Sequence, residues 1–155
     1  MAVASLVTDQ TKADGLDTLD GLVGYHLRRA SSLFATDFAR AIGGTGMRQV
    51  LFGILSIIQE SPGINQGSVG RALGIQRANM VSLVNELVDR GLVLREVAAD
   101  DRRAFALSLT SSGEVMVETC LQRIRAHEDE LLADFSDDDR ATLIALLSRI
   151  EAKEG

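Results

Sequence analysis

Between Ile64 and Leu109 the hydrophobic period of the chain changes once, from helical to alternating, and no other stretch restricts the fold as much. "INQGSVGRALG" (64–74) predicts a short helix with Asn65 as its N-cap and Gly74 as its exit. "IQRANMVSLVNELVDRG" (75–91) predicts a longer helix, with Met80, Leu83, Val84, Leu87 and Val88 on one face and Gly91 closing it. "LVLREV" (92–97) and "AFALSL" (104–109) then read as strands joined by the polar "AADDRR". Phe105, Leu107 and Leu109 share one face of the second strand. A short helix, a tight turn and a longer helix make a helix-turn-helix, and a hairpin directly after it makes a winged helix.

The flanks are helical and too long for so small a unit. Residues 17–42 carry Leu19, Leu22, Val23, Leu27, Ala30, Leu33, Phe34, Phe38 and Ile42 at helical spacing, and "GGTG" (43–46) ends that pattern. Residues 47–60 predict a more buried helix stopped at "SPG" (61–63). Ser111 and Glu114 have the spacing of a capping box opening a long helix to about Phe135, with Val117, Leu121, Ile124 and Leu131 as its stripe. "SDDD" (136–139) caps a last helix carrying Leu143, Ile144, Leu146, Leu147 and Ile150. The expected fold is mainly α with a small β-hairpin wing: a winged helix-turn-helix over 47–110, helices at 17–46 and 111–155 that pair with a second copy, and a flexible tail over 1–16.

Several classes of function are set aside by what the chain lacks. No apolar run approaches the ~18 residues that span a bilayer. Residues 1–15 show no basic region followed by a long apolar one, so no signal peptide and a cytoplasmic location are expected. A single cysteine, Cys120, excludes an internal disulfide; it reads as a buried structural residue with no base beside it. The two histidines have no metal-ligand spacing, and neither has a Ser or Cys at a nucleophile spacing, so neither a metal, a cofactor nor an enzyme is expected.

The net charge of −6 argues against binding nucleic acid over the whole surface, but the charge is uneven. Residues 64–110 hold six bases, all Arg, against five acids. Arg102 and Arg103 stand at the mouth of the hairpin, where a solvated tip is the ordinary reading of such a charge run. Placed directly after a helix-turn-helix, they gain a role. With the second helix in the major groove, the wing reaches the adjacent minor groove, where Arg meets an enhanced negative potential. Asp101 is expected to pair with one of the two and fix the tip.

The ordered set "NQGSVGRALGIQRANMVSLVNELVDRGLVLREVAADDRRAFALSLTSSG" resembles the MarR-type (multiple antibiotic resistance regulator) winged-helix transcription factors. Asp101 and Arg103 match the D-x-R wing signature; Leu107, Leu109, Thr110 and Gly113 match the L-x-L-T-x-x-G that follows; Leu83, Leu87 and "RGLV" (90–93) match the end of the recognition helix. The resemblance covers about 17–150 and implies a homodimer on a pseudo-palindromic double-stranded DNA operator, acting as a repressor. It places Gln76, Arg77, Ala78, Asn79 and Ser82 toward bases and phosphates, Asn85 toward a phosphate, and Gln66 and Ser68 near the backbone. Arg77 suits guanine or phosphate and Asn79 suits adenine. Ala78-Asn79-Met80 stands where the family often has Ser or Thr, so the operator sequence does not carry over.

"GYHLRRASSLF" (24–34), together with "SPGINQGSVGRALGI", is similar to a subgroup that controls aromatic-acid breakdown. That resemblance implies an aromatic carboxylate or acyl-thioester effector, with Tyr25, His26, Arg29 and Arg48 as candidate ligands. "MRQVLFG" departs from the subgroup's Pro-Gly-Gln-Phe pattern after the Arg. Half-buried packing is the competing role for Tyr25 and His26. A winged helix used only for protein interaction is the competing function, and the salt dependence of DNA binding separates the two.

Overall fold

The computed structural model describes residues 17–153, so the expected tail at 1–16 lies outside the described residues. The order is α1 (Asp17–Asp20), α2 (Val23–Ala41), α3 (Gln49–Glu60), β1 (Ile64–Asn65), α4 (Gln66–Leu73), α5 (Arg77–Asp89), β2 (Val93–Val97), β3 (Phe105–Leu109), α6 (Ser111–Leu131) and α7 (Asp137–Glu151). Two compact units divide the chain between Phe38 and Ala39. No described helix is long and apolar enough to cross a membrane.

In the first unit, the helix expected over 17–42 is broken. Gly21 and Leu22 interrupt it, and the chain crosses the break through the bonds Leu22 N–H to Leu19 O and Tyr25 N–H to Leu22 O. Glycine favours such a break because it holds helical geometry weakly. His26 Nε2 lies 2.8 Å from the Asp20 carbonyl, which the break leaves without a helical partner.

The second unit is built on α3, whose Leu51, Ile54, Leu55 and Ile58 are fully buried. Val69 from α4, Met80, Val84 and Leu87 from α5, and Leu107 from β3 complete an aliphatic core, as a chain with 4% aromatics requires. Asn65 caps α4, its side-chain oxygen accepting from Ser68 N–H. Gly74 ends α4 at φ 65, a left-handed conformation that glycine adopts without the cost of a Cβ. α5 follows after two residues, so the helix-turn-helix is formed as expected.

The wing holds one more strand than expected. β2 and β3 pair antiparallel with Val93 opposite Leu109 and Val97 opposite Phe105. β1 pairs with the other edge of β3, Ile64 opposite Leu107 and Asn65 opposite Ala106, which gives the order β1-β3-β2. Two residues, the second of them the helix cap itself, show no alternation, so β1 has no sequence signal of its own.

Two further expectations are corrected. The cap of α6 is Thr110, not Ser111: its Oγ1 accepts from Gly113 N–H at 3.0 Å and its hydroxyl donates to Gly91 O at 2.6 Å. The spacing Ser111–Glu114 mimics a capping box one residue late. α6 also stops at Leu131, in a turn over 132–134, before α7 starts at its Ser136–Asp139 capping box. Asp139, hydrogen-bonded by Ser136, is held below the usual carboxylate range. Cys120 is fully buried, and burial pushes its thiol up. Thr45 and Arg123 oppose that rise, so a base does stand near the thiol after all.

Candidate nucleic-acid interface

The N-terminal half of α5 is an open face. Gln76, Arg77, Ala78, Asn79 and Ser82 are all exposed, while Met80 and Val84 anchor the opposite side in the core. Gln76 makes no side-chain cap bond and the first turn contains no acid. The first N–H groups of α5 therefore face outward beside a guanidinium, an arrangement that attracts anions.

Arg102 and Arg103 sit in the exposed turn before β3. Asp101 fixes that turn differently from the side-chain pair expected: its Oδ1 accepts from the backbone N–H of Arg103 at 2.9 Å. Neither guanidinium is consumed by it. Arg103 and Arg77 line one cleft of about 580 Å³, between α4, α5 and the wing. Gln66 joins them there; Ser68, two residues further along α4, accepts from Arg71 at 2.9 Å. Two more arginines of this cleft, Arg71 and Arg95, were missed by sequence reading. Their signal was present only in the all-Arg base content of residues 64–110.

Asn85, one turn further along α5, accepts from Arg95 through its carbonyl oxygen, a bond that does not use the amide N–H groups a phosphate would take. Arg95 in turn lies 5.5 Å over the Phe105 ring. The recognition helix is thus joined to both strands of the wing through one side chain.

The candidate effector residues fall in two groups. Tyr25, His26 and Arg29 form a cluster on α2: Arg29 donates to the Tyr25 hydroxyl at 3.4 Å, its guanidinium stands 5.5 Å from that ring, and the Tyr25 and His26 rings meet edge-on at 5.4 Å. Arg48, in the second unit, is engaged by α5. Both its terminal nitrogens donate to Glu86, at 2.9 and 2.8 Å. Those hydrogen bonds hold the Glu86 carboxyl below the usual range. Arg90, at the end of α5, donates to Gly46 O at 2.9 Å and Thr45 O at 3.2 Å. The recognition helix is therefore tethered twice to residues 45–48, through groups that water can reach. Among the described residues no group of His, Cys, Asp and Glu is placed to hold a metal ion.

The MarR family model matches residues 46–104, the stretch from α3 to the wing tip. A putative transcriptional regulatory protein for the hcr operon of Thauera aromatica is 34% identical over 134 residues, 86% of this chain and 81% of the relative. The transcriptional repressor CouR bound to a 23-mer DNA duplex superposes with a TM-score of 0.83 at 31% identity, over 88% of this chain and 96% of that one. CouR bound to p-coumaroyl-CoA superposes at 0.76 and 29% identity, over 92% and 98%. With relatives matched over four fifths or more of their length and a family model matched on the winged unit, this chain belongs to the MarR family of transcriptional regulators.

Proposed function

We propose that the protein is a cytoplasmic homodimeric repressor that binds a pseudo-palindromic DNA operator, α5 in the major groove and the wing in the adjacent minor groove. The observation that carries this reading is that Arg77 at the start of α5 and Arg103 at the wing line one cleft that contains no acidic residue. The likeness to DNA-bound CouR supports it. The organisation that fits this function is a DNA-binding unit over 47–110, flanked by dimerisation helices at 17–46 and 111–155. An acidic protein reaches DNA in this way because its bases converge on one face, twice over in a dimer.

Arg103→Ala is expected to weaken binding to all duplexes and to flatten the salt dependence, because a minor-groove Arg acts mainly through charge. Asn79→Ala is expected to cost ~1–3 kcal/mol at particular base pairs and to leave the salt slope unchanged. Competition binding on mutated duplexes separates the two. Unchanged affinity in Arg103→Ala would exclude the wing from the interface, and binding with no salt dependence would favour a protein-interaction module.

The effector in this proposal is an aromatic carboxylate or its acyl-thioester, a class supported by the likeness to CouR bound to p-coumaroyl-CoA. Its candidate contacts are Tyr25, His26 and Arg29 in the first unit and, taken separately, Arg48 in the second. An anion that takes Arg48 from Glu86 leaves a bare carboxylate on the recognition helix, so effector binding and DNA binding oppose each other. By linkage, DNA must weaken p-coumaroyl-CoA binding by the factor with which p-coumaroyl-CoA weakens DNA binding. Arg48→Ala is expected to lower DNA affinity without effector and to bring that factor close to one. Calorimetry with and without duplex measures it; equal effector affinity in both states would exclude effector-driven release.

A further inference from the structure

The cleft between α5 and the wing holds four guanidiniums, from Arg71, Arg77, Arg95 and Arg103, and no carboxylate. Elsewhere in the second unit Arg48 is paired with Glu86 and Arg140 with Asp129, while Arg90 and Arg123 are held singly by backbone carbonyls; among the described residues of that unit, only the cleft gathers four guanidiniums together. In the cleft, two of the four are held in place by neutral groups. Arg71 donates to Ser68 Oγ at 2.9 Å. Arg95 donates to the Asn85 carbonyl oxygen and lies over Phe105. A neutral partner fixes the direction of a guanidinium and leaves its charge uncompensated, so the arrangement is preorganised for an anion.

We infer that this cleft seats a backbone phosphate of the DNA strand that runs between the two grooves, gripped by Arg71 from the helix-turn-helix side and Arg95 from the wing side. The inference rests on the groove assignment proposed above. One sugar–phosphate strand separates a major groove from the minor groove beside it. A protein with a helix in the first and a wing in the second straddles that strand, and the gap between helix and wing is this cleft. A free phosphate offers the same chemistry, and the arms of the test below separate the two. Arg71 and Arg95 are then contacts that carry no base information.

The test uses the full chain and duplexes that it recovers from a random-sequence pool. Arg71→Met and Arg95→Met are each expected to reduce the slope of log affinity against log salt by about 0.9 per site, roughly 1.8 per dimer. Base preference should stay as in the wild type. Arg95→Lys should recover most of the slope, which a purely structural role of Arg95 would not allow, because lysine restores the charge and not the contacts with Asn85 and Phe105. A single neutral methylphosphonate linkage in each half-site should weaken the wild type and leave the double variant unaffected. Wild-type slopes in both single variants, or altered base preference, would overturn the inference while leaving the groove assignment intact. Inorganic phosphate competing for the cleft without any change in the duplex slope would reduce it to a small-anion site and overturn it as well. A wild type that recovers no preferred duplex would instead remove the reading on which it rests.

Discussion

Gly113→Ala is expected to lower the thermal midpoint by roughly 10 °C or more, although it adds a single methyl group. Gly113 is buried in the first turn of α6, against the segment that leads from α5 into β2. A Cβ at this position would lie 2.1 Å from the Leu92 carbonyl oxygen and 3.3 Å from Leu109 Cβ. The obstacle is backbone, which cannot swing aside as a flexible side chain would. That carbonyl also accepts the Thr110 N–H at 3.1 Å, while the Thr110 hydroxyl is bonded to Gly91 O and capped onto Gly113 N–H. Displacing α6 to make room would strain all three bonds together. Overpacking of this kind costs about 3 kcal/mol or more when the neighbour cannot yield. Gly24→Ala is the control: near the start of α2 its nearest obstacle is a flexible Arg28 nitrogen at 3.9 Å, so it should be neutral or slightly stabilising. Calorimetric scans of both decide the matter. An unchanged midpoint in Gly113→Ala would mean that α6 shifts without cost, and Thr110 would then not be the fixed joint described above.

The double variant Ile144→Glu, Ile150→Glu is expected to turn the protein into a folded monomer and to weaken specific DNA binding by roughly 10²–10⁴, the gain that bivalent engagement brings. α7 contains no buried residue, and Ile144, Leu146 and Ile150 stand 65%, 49% and 46% exposed. Val115 and Phe135 are exposed on and after α6. Exposed apolar side chains gathered on one helix mark an association surface, and for a family that acts as dimers the occupant is a second copy. Because both isoleucines are exposed in the single chain, the substitutions leave the core of α3, α5 and β3 untouched. Circular dichroism should therefore stay native while sedimentation shows half the mass. A variant that remains dimeric would move the interface away from α7. A monomer with wild-type affinity would remove the need for two half-sites.

The winged unit was legible from the chain because its signals are local. Asn65, Gly74, Gly91 and the alternation of 105, 107 and 109 each act within a few residues, and each falls where expected. What was not legible depends on partners distant in sequence. β1 exists because β3 offers it an edge from forty residues away. The break at Gly21 was hidden by a stripe that continues across it. The commitment of Arg48 to Glu86 joins positions thirty-eight residues apart, and nothing in "MRQVLFG" announces it. The same holds for the cleft: Arg71 and Arg95 look like any surface arginines until α4 and β2 are placed on either side of α5.

Because β1 lies on one edge of β3 and runs straight into the cap of α4, the helix pair and the wing form a single stiff piece rather than two prongs on a hinge. Arg95, bonded to Asn85, closes the opposite side of the same frame. Such a piece acts as a gauge of the double helix. On the groove assignment proposed above, it would accept only a stretch whose local twist and minor-groove width bring the groove edges to a preset distance. Discrimination would then extend to base pairs that no side chain touches, through how readily each sequence can be wound to that gauge.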